Sequence, residues 1–274
     1  MEETPRLNVG FLILGSMVGV ASAAKPETKA NGSDPYYRYG HFVGKVGIAS
    51  TYIPRLAVIN QDDTATLQQA FFLRVKLGNG WKSGWNHYYY PVSSGHWISV
   101  KVIKPSSETY VGIVSGRNGI FVVDTGQGHS NLEDKYFEFF KKAVDKLAEL
   151  LKLPGFADLV SSLGKSDRDS YTIQTSGDIF YQDISRITVR FYWDSRFRGT
   201  DYCMGVTWII TNPREGDYKF EVSGGATLYV AGYSHNSIPS FPEAKSVGPT
   251  SVLGKTTRIA RVTVKTRVYY AGGG

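Results

Sequence analysis

The sequence is poor in the residue types that most often announce chemistry. It has one cysteine, Cys203. A single thiol cannot close an intrachain disulfide or build a cysteine-based metal site, so Cys203 reads as a small buried apolar residue. The five histidines, His41, His87, His96, His129 and His235, are dispersed. None stands in a His-Glu-x-x-His or His-x-His pattern. No Gly-x-Ser-x-Gly nucleophile turn, phosphate loop or dinucleotide fingerprint is present. No apolar run reaches the roughly 18 residues of a transmembrane helix, and there is no internal repeat or low-complexity tract.

What is present points to a folded β protein. Apolar residues make up 42% and charged residues 20%, which excludes global disorder. The 18 tyrosines and 30 glycines favour aromatic-rich strands joined by glycine turns. The formal charge of +7 permits an anionic partner without requiring one.

Alternation supports the strands. Phe71, Leu73, Val75 and Leu77 share one face of a half-buried strand. Ile98, Val100 and Val102 share another, as do Val206, Trp208 and Ile210, and also Ile187, Val189, Phe191 and Trp193. Two hairpins are expected. One joins Tyr110–Val114 to Ile120–Val123, and one turns at Ser223-Gly224-Gly225 between Tyr218–Val222 and Ala226–Ala231. The residues between Ser234 and Pro249 read as a long proline-bearing loop. The last strand, Thr257–Tyr270, puts Ala260, Val262, Val264, Thr266, Val268 and Tyr270 on one face and Arg261, Lys265 and Arg267 on the other. It would extend about 45 Å, long for a small domain.

One stretch breaks the β pattern. Ser130-Asn131-Leu132-Glu133 has capping-box spacing. Tyr136, Phe140, Val144, Leu147 and Leu151 then recur at helical intervals up to Pro154-Gly155, and a short second run ends at Gly164. The expected architecture is therefore mostly β, an antiparallel jelly-roll-like sandwich with one helical insertion over residues 130–163. Its domain plan is a leader or arm at 1–23, a linker at 24–35 and a single β-rich domain at 36–274.

The N-terminus carries the localisation signal. Val9 to Val20 is apolar or small throughout, and Ala21-Ser22-Ala23 matches a small-x-small cleavage site. Secretion or display at the cell surface is expected, although Glu2 and Glu3 outweigh Arg6 in the leading segment. Asn31-Gly32-Ser33 is a glycosylation sequon.

Few constellations carry chemistry. Val122-Val123-Asp124-Thr125-Gly126 matches the core of an aspartic-protease loop, but that chemistry needs two such aspartates and the motif occurs once. His129 with Asp124, Glu133 and Asp134 has no specific metal spacing, and a solvated helix start accounts for the acids. No catalytic residue, metal or cofactor is assigned, and the chain is not expected to be an enzyme. The aromatic stretch Trp81, Trp85, Asn86, Tyr88, Tyr89 and Tyr90 is the candidate contact for a sugar or a protein partner. Arg261, Val262, Val264, Val268 and Tyr270 form a candidate assembly strand, because a strand that outruns its sheet can complete a neighbour's.

An apolar leader (Val9–Ala23), a helical insertion (Ser130–Leu163) and flanking jelly-roll strands resemble secreted filament subunits of the TasA type. That resemblance implies a self-assembling structural subunit, and a jelly-roll coat subunit fits the same layout. The alternatives are a secreted carbohydrate-binding protein or glycoside hydrolase, and an aspartic-protease-like enzyme using Asp124. The expected partners are further copies of the chain and a possible glycan. Nucleic acid is expected only in a capsid context, and membrane contact only through an uncleaved N-terminal segment.

Overall fold

A computed structural model describes residues 28–52, 58–59, 63–113, 120–124, 171–178, 183–192, 195–196, 199–234 and 249–270. The N-terminal leader, the helical insertion at 130–163 and the Asp-Thr-Gly turn beyond Asp124 lie outside these residues, as does most of the proline-bearing loop. The described chain is all β, in antiparallel sheets, as the alternation predicts.

One sheet is built on β3 (His41–Tyr52), β5 (Thr64–Leu77) and β13 (Thr200–Thr211), which pair in that order. β1 (Thr28–Gly32) and β2 (Tyr36–Arg38) border β3. Part of the stretch read as a linker thus lies on the sheet. β4 (Val58–Ile59) touches β5 at Ile59↔Ala65. The second sheet contains β7 (His87–Ile103), β11 (Asp183–Phe191), β14 (Gly216–Ser234) and β15 (Ser251–Tyr270), ordered β15-β14-β7-β11 with β10 (Tyr171–Asp178) beyond β11. β6 (Trp81–Ser83) and β12 (Ser195–Arg196) also pair with β7. The end of β15 crosses to the first sheet and runs parallel to β4 at Tyr269↔Val58, joining the two layers at one corner.

The core lies between the inward faces. Phe71, Leu73 and Val75 meet Ile98, Val100, Val206, Trp208, Ile210, Ile187, Val189, Val264 and Val268, all buried. These are the alternating sets read from the sequence. Each strand hides every second residue because the pleat sends successive side chains to opposite faces. At about 25 cal/mol per Å² of apolar surface removed from water, this interior is the main favourable term in folding.

Both expected hairpins are corrected. Tyr218–Val222 and Ala226–Ala231 belong to one continuous strand, β14, which pairs with β15 on one side and β7 on the other. Gly224 is there for close packing. A Cβ on it would sit 2.7 Å from Leu73 Cδ1 and 2.9 Å from Ile48 Cδ1 of the facing sheet. A Cβ on Gly225 would meet the Trp97 indole at 2.7 Å. The second correction concerns β8 (Tyr110–Ile113) and β9 (Ile120–Asp124), which do not pair with each other. Both run antiparallel to β13, β8 along Trp208–Thr211 and β9 along Tyr202–Val206, as two segments of one line.

A histidine and an aspartate are among the polar residues buried in this apolar frame. His96 is fully buried. Its Nε2 lies 2.9 Å from Ser93 Oγ and its Nδ1 3.1 Å from Tyr202 Oη, while Phe191 stacks on the Tyr202 ring at 3.9 Å. Asp201, 1% exposed, faces its register partner Arg74 at 3.6 Å. His96 and Asp201 thus face partners within the scaffold. Asp183 is likewise held by Lys104 Nζ at 2.8 and 2.9 Å.

Candidate functional site

The aromatic stretch 81–90 is a hairpin rather than a loop between strands. β6 pairs with the start of β7 in register Trp81↔Tyr89, Lys82↔Tyr88 and Ser83↔His87. Gly84, at φ 69°, makes the turn, a left-handed conformation that glycine adopts without a Cβ penalty. Just before β6, the chain at Gly80 passes so close to the Tyr90 ring that a Cβ would lie 2.5 Å from it.

The hairpin sorts its aromatics by height. Tyr88 is buried, and Trp81, Tyr89 and Tyr90 are partly covered. Trp81 stacks on Tyr89 at 5.7 Å, and Tyr90 meets Tyr233 edge-on at 5.7 Å. Burial pushes the Tyr90 phenol up, with Tyr88 and Tyr233 adding to the shift. Trp85 and Asn86 stand on the turn in solvent. Trp85 is 92% exposed.

A second turn stands at the same end of the sandwich. β2 and β3 form a hairpin through Tyr39 and Gly40, at φ 50° and 76°. Tyr37 is 56% and Tyr39 65% exposed. The two turns are joined by His41 and Trp81, whose rings stack at 4.5 Å with 7° between planes. Below them Gly78 N–H donates to the Val43 carbonyl at 2.9 Å, which holds β3 and the chain after β5 together. Tyr36 Oη donates to the Gly254 carbonyl at 3.0 Å, tying β2 to the start of β15.

Cations accompany these rings. The Arg38 guanidinium lies 4.8 Å from the Tyr39 centroid and donates to Tyr39 Oη at 3.4 Å. That hydrogen bond raises Arg38 above its already high value, so it is always charged. Lys82 Nζ lies 5.5 Å from the Tyr88 centroid. The tip thus carries three exposed aromatic rings and two cations on two turns. Ser234 Oγ lies 3.1 Å from His87 Nδ1 where β14 flanks the hairpin, and no group of three metal-ligating side chains occurs among the described residues.

Of the residues named from the sequence, Trp85 and Asn86 are at this tip, while Trp81, Tyr88, Tyr89 and Tyr90 form its support. Tyr37, Tyr39 and Arg38 were not singled out. They are far from Trp85 in sequence, and only the β2–β3 fold-back brings them near. The other candidate stretch divides across β15. Val262, Val264 and Val268 face the core, Arg261 faces solvent and accepts a hydrogen bond at its carbonyl from Asn31 Nδ2 at 2.9 Å, and Tyr270 lies opposite Ile59.

No family model matches this chain, and no curated protein matches it. Solved structures do. A pore-forming protein is 9% identical over 88% of this chain and 90% of its own, with a TM-score of 0.35. Clostridium perfringens delta-toxin is 7% identical over 88% and 87%, with a TM-score of 0.35. The Clostridium perfringens NetB toxin in its membrane-inserted form is 9% identical over 87% and 94%, with a TM-score of 0.28.

The expectation of a filament- or shell-forming subunit is corrected by these findings. The three structures are a pore-forming protein and two toxins, not filament subunits. The physical premise fails as well. β15 begins six residues earlier than expected, at Ser251, but its length is taken up within the fold: β14 pairs with it from Gly216↔Val268 to Gly232↔Ser251, and its last two residues pair with β4.

Proposed function

We propose that this chain is a secreted protein that binds membrane surfaces through the aromatic–cationic tip formed by the β2–β3 and β6–β7 turns. The observation that carries this reading is Trp85, 92% exposed on a turn that the His41–Trp81 stack joins to the turn bearing the exposed Tyr37 and Tyr39. Tryptophan and tyrosine rings are favoured at the membrane–water interface, where an apolar body and a polar tip are both accommodated. Arg38 and Lys82 are placed to meet phosphate groups of the headgroup layer. The contact is made by strands and turns. No helix among the described residues is long and apolar enough to cross a membrane, which says nothing about crossing by strands.

The leader-like segment Val9–Ala23 supports export. A homo-oligomer on the membrane is the form we propose. β10 supports it, because it pairs only with β11 among the described residues and so offers an edge for another copy.

The test is flotation with vesicles of phosphatidylcholine, with and without phosphatidylserine, and release of an entrapped dye. Wild type should float with the vesicles, and Trp85→Ser should bind about tenfold more weakly, a loss of about 1.4 kcal/mol. Tyr37→Ser/Tyr39→Ser should weaken binding further, with the circular dichroism spectrum unchanged. Dye release would show that the bound protein perforates the bilayer. Wild-type protein that stays in the unbound fraction with both vesicle types would overturn the reading.

A further inference from the structure

The outer face of the second sheet carries a separate feature. Four strands, β11, β7, β14 and β15, lie in register there. One rung reads Thr188, Ser99, Ser223, Arg261. The next reads Arg186, Lys101, Glu221, Thr263, and on the other side Arg190 stands opposite Trp97 and Gly225. All of these but Gly225 line an open groove of about 610 Å³.

The composition of the groove has a direction. Its floor is small and hydroxylic, with Ser99 Oγ and Thr188 Oγ1 2.9 Å apart. Trp97 lies flat over Gly225, whose missing side chain makes room for the indole. Glu221, the acid of the lining, is held by Lys101 at 3.5 Å. Arg186, Arg190 and Arg261 have no carboxylate partner among the described residues. Arg190 Nε makes only a long contact with Gln174 Oε1, at 3.4 Å. Three guanidinium groups thus line the groove with no carboxylate partner among the described residues.

Spacing decides what they fit. Arg186 and Arg190 are four residues apart on one strand, about 13 Å at 3.3 Å per residue. Arg261 is three strands away from β11, about 14 Å at 4.8 Å per strand. A single phosphate or sulfate cannot reach all three. An extended chain of such groups can. Nor is the occupant the headgroup layer touched by the tip, because eleven residues of β7 separate Tyr88 from Ser99, about 35 Å.

We propose that this four-strand face binds a linear polyanion carrying sulfate or phosphate groups at intervals, laid across the strands from β11 to β15. Planar guanidinium groups suit such oxyanions because their N–H pairs match two oxygens at once. The site is independent of the membrane tip, and its test does not need membranes.

The experiment is calorimetric titration of the full chain with a heparin-derived hexasaccharide and with inorganic polyphosphate of similar charge. Sodium sulfate and sodium phosphate serve as single-ion probes. At least one polyanion should bind well and the single ions weakly, and the tighter of the two identifies the anionic group, sulfate or phosphate. Arg186→Gln/Arg190→Gln/Arg261→Gln should weaken binding at least tenfold and flatten its salt dependence, since fewer counterions are released. Trp85→Ser should leave it unchanged, so this site and the tip can fail separately. Unchanged affinity in the triple variant would overturn the proposal. So would an equal loss in Lys29→Gln/Lys45→Gln/Lys76→Gln, single-ion binding as tight as that of the chains, or no binding of either polyanion.

Discussion

Trp208 Nε1 donates to Gln69 Oε1 at 3.0 Å inside the sandwich, and Gln69 Nε2 passes the chain on to Ser50 Oγ at 3.1 Å. All three side chains are fully buried. The chain links β13, β5 and β3 through their side chains as well as their backbones. Gln69→Leu keeps the approximate volume but strands the indole N–H in an apolar interior. Leaving such a donor unpaired costs about 1–3 kcal/mol. Urea unfolding should show a loss of that size for Gln69→Leu and a smaller one for Ser50→Ala, since Gln69 then keeps Trp208. An unchanged midpoint in Gln69→Leu would mean that the chain contributes nothing to stability.

Gly224 offers a sharper test, because its role differs from the turn its sequence suggests. Its absent Cβ admits Leu73 and Ile48 of the opposite sheet. Gly224→Ala should therefore overpack the core, at a cost of about 1–3 kcal/mol. Leu73→Ala alone should also destabilise, by about 2–5 kcal/mol. Because the clash is with Leu73 Cδ1, the double variant should be less unstable than the sum of the two singles. A double-mutant cycle by thermal denaturation checks this, and simple additivity would show that the two groups do not meet.

The same residue shows what could be read in advance. The inward faces were legible because period-two alternation follows from the pleat alone. Phe71, Leu73 and Val75, or Val206, Trp208 and Ile210, declare their side without any knowledge of partners. Gly224 and Gly225 were misread because glycine marks both a turn and a close approach, and only the facing sheet tells them apart. β8 and β9 were misread for a similar reason: their partner, β13, comes about eighty residues later. At the tip, Trp85 stood out locally, whereas Tyr37 and Tyr39 needed the β2–β3 fold-back. The groove was not legible at all, because Arg186, Trp97, Ser223 and Arg261 lie on four strands and meet only through register.

Tyr90 should make the protein sensitive to alkali. Burial raises its phenol above the ordinary value of 10.0. The folded state therefore holds that proton more tightly than the unfolded state. The corresponding stability is fully present below the unfolded value, and it is lost as pH rises through the unfolded value and on to the raised folded one. Thermal midpoints followed from pH 8 to 11 should fall in the upper part of that range, and Tyr90→Phe should flatten the fall. An identical pH profile in Tyr90→Phe would assign the alkaline loss to other groups.

The His41–Trp81 stack predicts how the tip depends on its support. The rings lie 4.5 Å apart and nearly parallel, and they are the side-chain link between the two turns that carry Tyr39 and Trp85. An aromatic pair of this kind is worth about 0.5–1.5 kcal/mol beyond its buried area. The link is peripheral to the core, so His41→Ala should lower global stability by no more than about that amount. Its larger effect should be on the tip. With the stack gone, the β2–β3 turn is free to move against the β6–β7 turn, and ordering both at a membrane surface then carries an added entropic cost. Vesicle affinity should drop about three- to tenfold in His41→Ala, while His41→Phe, which restores a stacking ring, should recover most of it. Flotation assays on the three proteins, alongside their urea midpoints, separate the two effects. Equal vesicle binding by wild type and His41→Ala would show that each turn meets the membrane on its own.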